Sequence, residues 1–99
     1  SEEIRLGAFT FFPSKLILAL DDKTVELTAK ETALLMLFIE HKNSTIKRGD
    51  ILLKIWGKDD YFLGRSLDVF IARLRKHIAK DDAIEIKTVR GVGFRMEIA

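Results

Sequence analysis

The residues of this chain best placed to do chemistry lie between Arg65 and Lys80, in the stretch RSLDVFIARLRKHIAK. Wound at 3.6 residues per turn, this stretch sets Leu67, Phe70, Ile71, Leu74 and Ile78 along one face, the pattern of a helix seated on a core. The opposite face carries Arg65, Val69, Ala72, Arg73, Lys76 and Lys80. Cationic side chains supply phosphate affinity, an arginine can bond guanine bidentately, and Ala or Val can sit against a thymine methyl. The face therefore suits a groove of double-stranded DNA, and the stretch reads as a recognition helix. Taken alone, it is more often the solvated side of an ordinary surface helix. The remainder of the chain tips the balance toward DNA.

Other chemistry finds little support. There is no Cys, which excludes disulfides, thiolate nucleophiles and Cys-based zinc sites. The two His residues, His41 and His77, read as isolated from each other, and Ser14, Ser44 and Ser66 each fall in turn or cap contexts. Asp21-Asp22 could be taken as a metal or general-acid pair, but adjacent acids in a hairpin turn are far more often solvated. The glycines of GVGF lie between strands rather than before a helix, so they are no phosphate loop. The expectation is a non-enzyme with no cofactor and no metal.

Charge is unevenly placed. The 99 residues carry a net charge of only +2. Residues 1–27 hold three basic groups against five acidic ones, whereas residues 65–80 hold Arg65, Arg73, Arg75, Lys76 and Lys80 against Asp68 alone. With 47% apolar and 32% charged residues, the composition is that of one ordinary globular domain with a single core. The longest apolar run, Ala33 to Ile39, is far short of a membrane span. Glu2 and Glu3 beside Ser1 have the wrong charge for a signal peptide, so a cytoplasmic protein without membrane contact is expected.

The elements that must position the basic helix follow in order. Ile4 to Leu6, Phe9 to Phe12, Leu16 to Leu20 and Thr24 to Leu27 are short β-prone runs divided by Gly7, Pro13-Ser14-Lys15 and Asp21-Asp22-Lys23. Connections that short predict an antiparallel meander. Thr28 and Glu31 form a capping box that opens a mostly buried helix through His41, whose ring suits the negative end of the helix dipole. Thr45-Ile46 predicts a brief bridging strand, and Lys47 to Trp56 a second helix ended by Gly57. Residues 57–64, GKDDYFLG, read as a loop whose Tyr61, Phe62 and Leu63 either tuck into the domain or wait for a partner, tucking being the commoner outcome. After the basic helix, ended by Asp81-Asp82, Ile84 to Val89 and Phe94 to Ile98 predict a hairpin with Arg90 near its tip. Beside a recognition helix such a hairpin can reach the neighbouring minor groove; the plainer alternative is that Gly91 and Gly93 serve turn geometry and Arg90 is solvated.

LTAKETALL, GDILLKIWG, RSLDVFIARLRKHI and IKTVRGVGFRM, in this order and spacing, resemble the C-terminal effector domain of OmpR/PhoB-type bacterial response regulators. The resemblance runs from about Leu27 to Met96, and three signatures in register carry it: the Trp-Gly ending the second helix, R-x-x-D-V-x-I-x-x-L-R-K, and T-V-R-G-x-G-F-R. It implies an α+β fold, a winged helix-turn-helix with an N-terminal four-stranded antiparallel sheet, three helices and a C-terminal β-hairpin wing, and residues 1–99 as a single such domain. It implies sequence-specific double-stranded DNA binding in transcription control, with helix 65–80 in the major groove and wing 88–93 at the minor groove.

The positions matching the family's contacts are Arg65, Arg73, Arg75 and Lys76, with Thr88 and Arg90 on the wing; Val69 and Ala72 share the helix's outer face. Arg73 is the choice for base reading, whereas Arg65, Lys76 and Arg75, the last nearer the core edge, suit phosphate. Asp68 reads as an i, i+3 partner holding Arg65 or an inter-turn Arg, a structural role favoured over contact with cytosine. Phe70 and Ala72 stand where relatives often carry polar or basic residues, so apolar contact or DNA shape is expected to carry more of the specificity. Lys58, Asp59, Asp60 and Tyr61 match a segment that in relatives meets RNA polymerase. The resemblance further implies a receiver domain outside this chain, a cognate sensor kinase, phosphorelay control, and head-to-tail pairing on direct-repeat half-sites by a domain that is monomeric when isolated. The alternative is a winged helix turned protein-interaction module, using Tyr61, Phe62 and the sheet.

Overall fold

A computed structural model describes residues 2–99; Ser1, where the reading of a missing signal peptide begins, lies outside them. Four short strands come first: β1 Ile4–Leu6, β2 Phe9–Phe12, β3 Ile17–Leu20 and β4 Lys23–Glu26. They pair antiparallel in chain order, with Leu6 opposite Phe9, Phe11 opposite Leu18 and Leu18 opposite Val25. Period-two alternation turns Leu6, Phe9, Phe11 and Leu18 inward, where each is buried. Pro13–Lys15 winds as a single 3-10 turn, and the β3–β4 turn is confined to Asp21 and Asp22, so Lys23 belongs to the strand.

Helix α1, Ala29–Glu40, opens on the expected capping box: Glu31 N donates to Thr28 Oγ1 at 3.1 Å, and Thr28 N donates to Glu31 Oε1 at 2.8 Å. Its Leu34, Leu35, Leu37 and Phe38 are buried. His41 occupies its C-cap position as the dipole argument expects, exposed and with Nδ1 3.0 Å from Leu37 O. The bridging strand β5, Thr45–Lys47, takes Lys47 from the expected second helix, which runs as α2 over Arg48–Trp56 and ends at Gly57.

The third helix is longer than expected at its start. Helix α3 spans Tyr61–Ile78, so the predicted apolar loop supplies its first turn. Asp60 is the reason: its carboxylate accepts from Phe62 N at 2.7 Å, satisfying an amide that would otherwise lack a partner. Ser66 accordingly lies inside a helix, not in a turn or cap. Tyr61 and Phe62 do not tuck in; they are 81% and 76% exposed. Leu67, Ile71, Leu74 and Ile78 are buried as the wheel requires, while Phe70 is half-buried edge-on against Trp56.

Strands β6, Ile84–Val89, and β7, Gly93–Ile98, form the terminal hairpin, and β5 pairs with the other side of β7. A Cβ on Gly93 would collide with the backbone of Ile46 and Arg48, so the strand can lie this close to β5 only with glycine there. Gly93 is thus a packing glycine within the ladder, and the turn is the preceding Val89 to Val92, closed by Val92 N donating to Val89 O at 2.9 Å. Gly91, at φ 75°, supplies its left-handed residue.

Candidate nucleic-acid interface

Beyond the core that they share through Leu74, Ile78, Ile84, Ile86 and Phe94, helix α3 and the hairpin are tied together by the polar side chain of Arg75. Arg75 Nε donates to Ile86 O at 2.9 Å and Arg75 Nη2 donates to Thr88 Oγ1 at 2.8 Å, while the guanidinium carbon stands 6.0 Å from the centre of the Phe94 ring. Arg75, expected on phosphate, and Thr88, expected as a wing contact, therefore share a hydrogen bond, and their first task is to fix the angle between helix and hairpin. Arg75 keeps an exposed edge that can face solvent.

A second clamp holds the start of α3 to α2. Arg48 Nη1 pairs with Asp68 Oδ1 at 2.9 Å, and Arg48 Nη2 donates to Gly64 O at 2.7 Å. Asp68 thus serves Arg48 rather than Arg65: from helix α3 it projects toward α2, where a guanidinium can meet the carboxylate and a helix carbonyl together. Arg48 also ties to the hairpin turn, its backbone amide donating to Val92 O at 3.0 Å. No local pattern marks Arg48, whose partners lie 16 and 20 residues away.

With Arg75 and Asp68 occupied, the outer face of α3 is left to Arg65, Val69, Ala72, Arg73 and Lys76, all exposed, Val69 by 49%. Among the described residues, Arg65, Lys76 and Lys80 form no side-chain hydrogen bond and no ion pair. Arg73 is steadied by stacking alone, its guanidinium 5.1 Å from the Phe70 ring centre. That leaves all its N–H groups free for an acceptor. Arg90 is exposed in the hairpin turn, and Thr88 is exposed one residue before the half-buried Val89. Lys58 and Asp59 are exposed, Asp60 is the α3 cap, and Tyr61 stands edge-on to Phe62 with ring centres 5.6 Å apart.

Below this face the helix is anchored by a contact that reading His77 as isolated misses. His77 Nε2 lies 3.0 Å from Glu31 Oε2, joining α3 to the first turn of α1 across 46 residues. Glu31 is only 4% exposed. Burial alone would raise its carboxyl pKa, but the Thr28 amide, the His77 ring and the Thr28 hydroxyl outweigh that, so it lies below the ordinary 4.5. At the far end of the helix, Asp81 accepts from Ala8 N at 2.7 Å and from Ala83 N at 2.9 Å, tying the β1–β2 turn to the end of α3. Those two amides depress its pKa as well.

The helix and hairpin agree with comparisons to known proteins. Residues 22–96 match the family described as transcriptional regulatory protein, C terminal. The transcriptional regulatory protein RprY of Bacteroides fragilis (strain YCH46) is 45% identical over 96 residues, covering 97% of this chain and 41% of that protein. The phosphate regulon transcriptional regulatory protein PhoB of Pseudomonas aeruginosa is 34% identical over 92 residues, 93% of this chain and 40% of that protein. The chain thus spans well under half the length of these curated relatives. Among solved structures, the DNA-binding domain of CpxR from E. coli superposes with a TM-score of 0.84 at 27% identity, covering 100% of this chain and 99% of that one. The Klebsiella pneumoniae RstA DNA-binding domain, solved in complex with the RstA box, gives a TM-score of 0.80 at 29% identity, with 98% of both chains covered. The fold is the winged helix expected from the sequence motifs, and the chain belongs to the transcriptional regulatory protein C-terminal family, the DNA-binding output domain of OmpR/PhoB-type response regulators.

Proposed function

We propose that this domain binds a specific double-stranded DNA sequence with α3 in the major groove and the β6–β7 hairpin against the adjacent minor groove. The observation that carries the reading is the outer face of α3: Arg65, Arg73 and Lys76 stand exposed and without acidic partners among the described residues, beside a hairpin braced by Arg75. Unpaired cations on a rigid convex face offer their charge to phosphate without first breaking ion pairs. Arg73 reads a base, and Arg65 and Lys76 bind phosphate. Val69 and Ala72 lie against thymine methyls or the groove wall. Thr88 and Arg75 reach phosphate from within their mutual hydrogen bond, and Arg90 enters the minor groove.

Residues 1–99 act as one effector domain, cytoplasmic, whose receiver domain, sensor kinase and phosphorelay lie beyond it. On direct-repeat half-sites two copies sit head to tail, while the isolated domain is monomeric. Tyr61 and Phe62, exposed at the start of α3, give Lys58, Asp59, Asp60 and Tyr61 a further role as a contact for RNA polymerase.

The test is fluorescence anisotropy with a random duplex pool and with the duplex selected from it, each at two salt concentrations. Tighter binding to the selected duplex, with affinity falling steeply as salt rises, is expected. Equal affinity for both would reduce the domain to a nonspecific polyanion binder. No binding to either, with capture of a protein partner that survives charge reversal at Arg73, would establish the interaction-module alternative.

A further inference from the structure

The inner face of the N-terminal sheet outruns the helices that cover it. Leu18 is buried, but its neighbours on the same face, Leu20 and Val25, are only partly so, and with the flank of α3 they floor a groove of about 550 Å³. That volume falls within the range of small-molecule sites. Its rim is cationic: Lys23 from β4 faces Arg73, Lys76 and Lys80 from α3. None of these four enters an ion pair among the described residues. Glu31, at the inner end, is already committed to His77, and Glu26 is an exposed carboxylate at the edge.

We propose that this groove binds a small amphiphilic anion, a carboxylate on an unbranched aliphatic chain, and that the bound anion competes with DNA. The chain lies along Leu20 and Val25 above the buried Leu18, removing the exposed surface of the first two from water. The carboxylate sits among Lys23, Arg73 and Lys76, each a free donor able to make a charge-assisted hydrogen bond. A neutral apolar ligand would leave that rim unsatisfied, and a short carboxylate would leave the floor wet. Because Arg73 and Lys76 are shared with the nucleic-acid face, occupancy withdraws two cations from phosphate and base. Ligand binding is independent of the DNA reading, and the competition rests on it; the two are measured separately.

The probe is decanoate, added to the chain below its aggregation concentration and followed by amide and methyl NMR shifts, with butyrate as the short control. Saturable shifts are expected at Leu18, Leu20, Val25 and His77, with none from butyrate. Lys23→Gln and Val25→Gln, which remove the charge and the apolar floor without adding a carboxylate beside Arg73 and Lys76, should each weaken decanoate roughly tenfold or more. Neither residue belongs to the nucleic-acid face, so both variants should hold duplex affinity, which also shows that they fold. In a second arm, decanoate should displace duplex from the parent chain and fail to do so from Lys23→Gln. Shifts scattered over the surface, or unchanged by both variants, would mean detergent-like adsorption and overturn the site. Saturable binding that leaves duplex affinity untouched would overturn the competition and keep the site. Failure of the parent to bind any duplex, with decanoate shifts intact, would count against the DNA reading alone.

Discussion

Arg75 of α3 donates to Thr88 of the hairpin at 2.8 Å, so helix and wing are locked together before any nucleic acid is present. A second bond from the same guanidinium to Ile86 O, at 2.9 Å, sets its plane. Arg75→Ala should therefore cost about 1 kcal/mol of stability, the magnitude of exposed hydrogen bonds to a charged group discounted for solvent screening. Urea denaturation measures that, and faster amide exchange along β6 reports the loosened wing. Thr88→Val keeps the shape and removes one bond, and a double-mutant cycle with Arg75→Ala should show coupling between the two positions. Strictly additive effects on stability would make the contact incidental.

The proposed roles of Arg73 and Lys76 separate base reading from phosphate binding. Arg73→Ala should cost about 1–3 kcal/mol on the preferred duplex and relax specificity, whereas Lys76→Ala should weaken every sequence alike and lower the salt slope by about one. Titrations over several salt concentrations on matched and mismatched duplexes distinguish them. Equal losses on all sequences for Arg73→Ala would reassign Arg73 to the backbone.

Arg90 stands exposed in the turn of the hairpin. Its loss should weaken binding chiefly to sites whose flank is A·T-rich, because a narrow minor groove concentrates the negative potential that an inserted arginine feels. Comparing Arg90→Ala with the parent on duplexes differing only in that flank tests the point; no flank preference in the parent would remove the minor-groove role.

The buried Glu31 carboxylate, held by the Thr28 amide and then by His77, predicts an acid limb. Glu31 has its carboxyl pKa held below 4.5 in the fold, so its ionised form contributes stability above the unfolded value, and that contribution is lost as pH falls through the folded value. Glu31→Gln preserves the capping-box pattern but removes the charge. It should cost about 1–2 kcal/mol at neutral pH, with the difference from the parent shrinking below the ordinary carboxylate range. Urea midpoints measured across acidic pH give the answer, and a constant offset at every pH would show that the carboxylate's charge contributes nothing.

What could be read from the sequence was local. The Thr28–Glu31 box, the inward alternation of the first strands and the apolar stripe of α3 each depend on residues within a few positions, and all appear in the structure. The start of α3 escaped because Gly57 and Gly64 read as loop boundaries and Tyr61-Phe62 are weak helix formers, although Asp60 held the cap signal. The pairs that build the interface were beyond reach for a different reason. Arg48 with Asp68, Glu31 with His77 and Arg75 with Thr88 join separate elements, and helical spacing says which face a residue occupies but not which element arrives opposite it. Helical i, i+3 spacing therefore points Asp68 to a neighbour on its own helix, whereas the structure pairs it with Arg48 of α2.

The central claim is that α3 and the hairpin together form the DNA-binding face. An amide chemical-shift titration of the chain with its selected duplex tests it most directly. Shifts should concentrate on Arg65 to Lys76 and Thr88 to Gly93, shrinking as salt is raised. If those amides stay in place while the duplex is bound, or while Lys58 to Leu63 and the N-terminal strands respond to a protein partner instead, the assignment of this face to DNA is wrong.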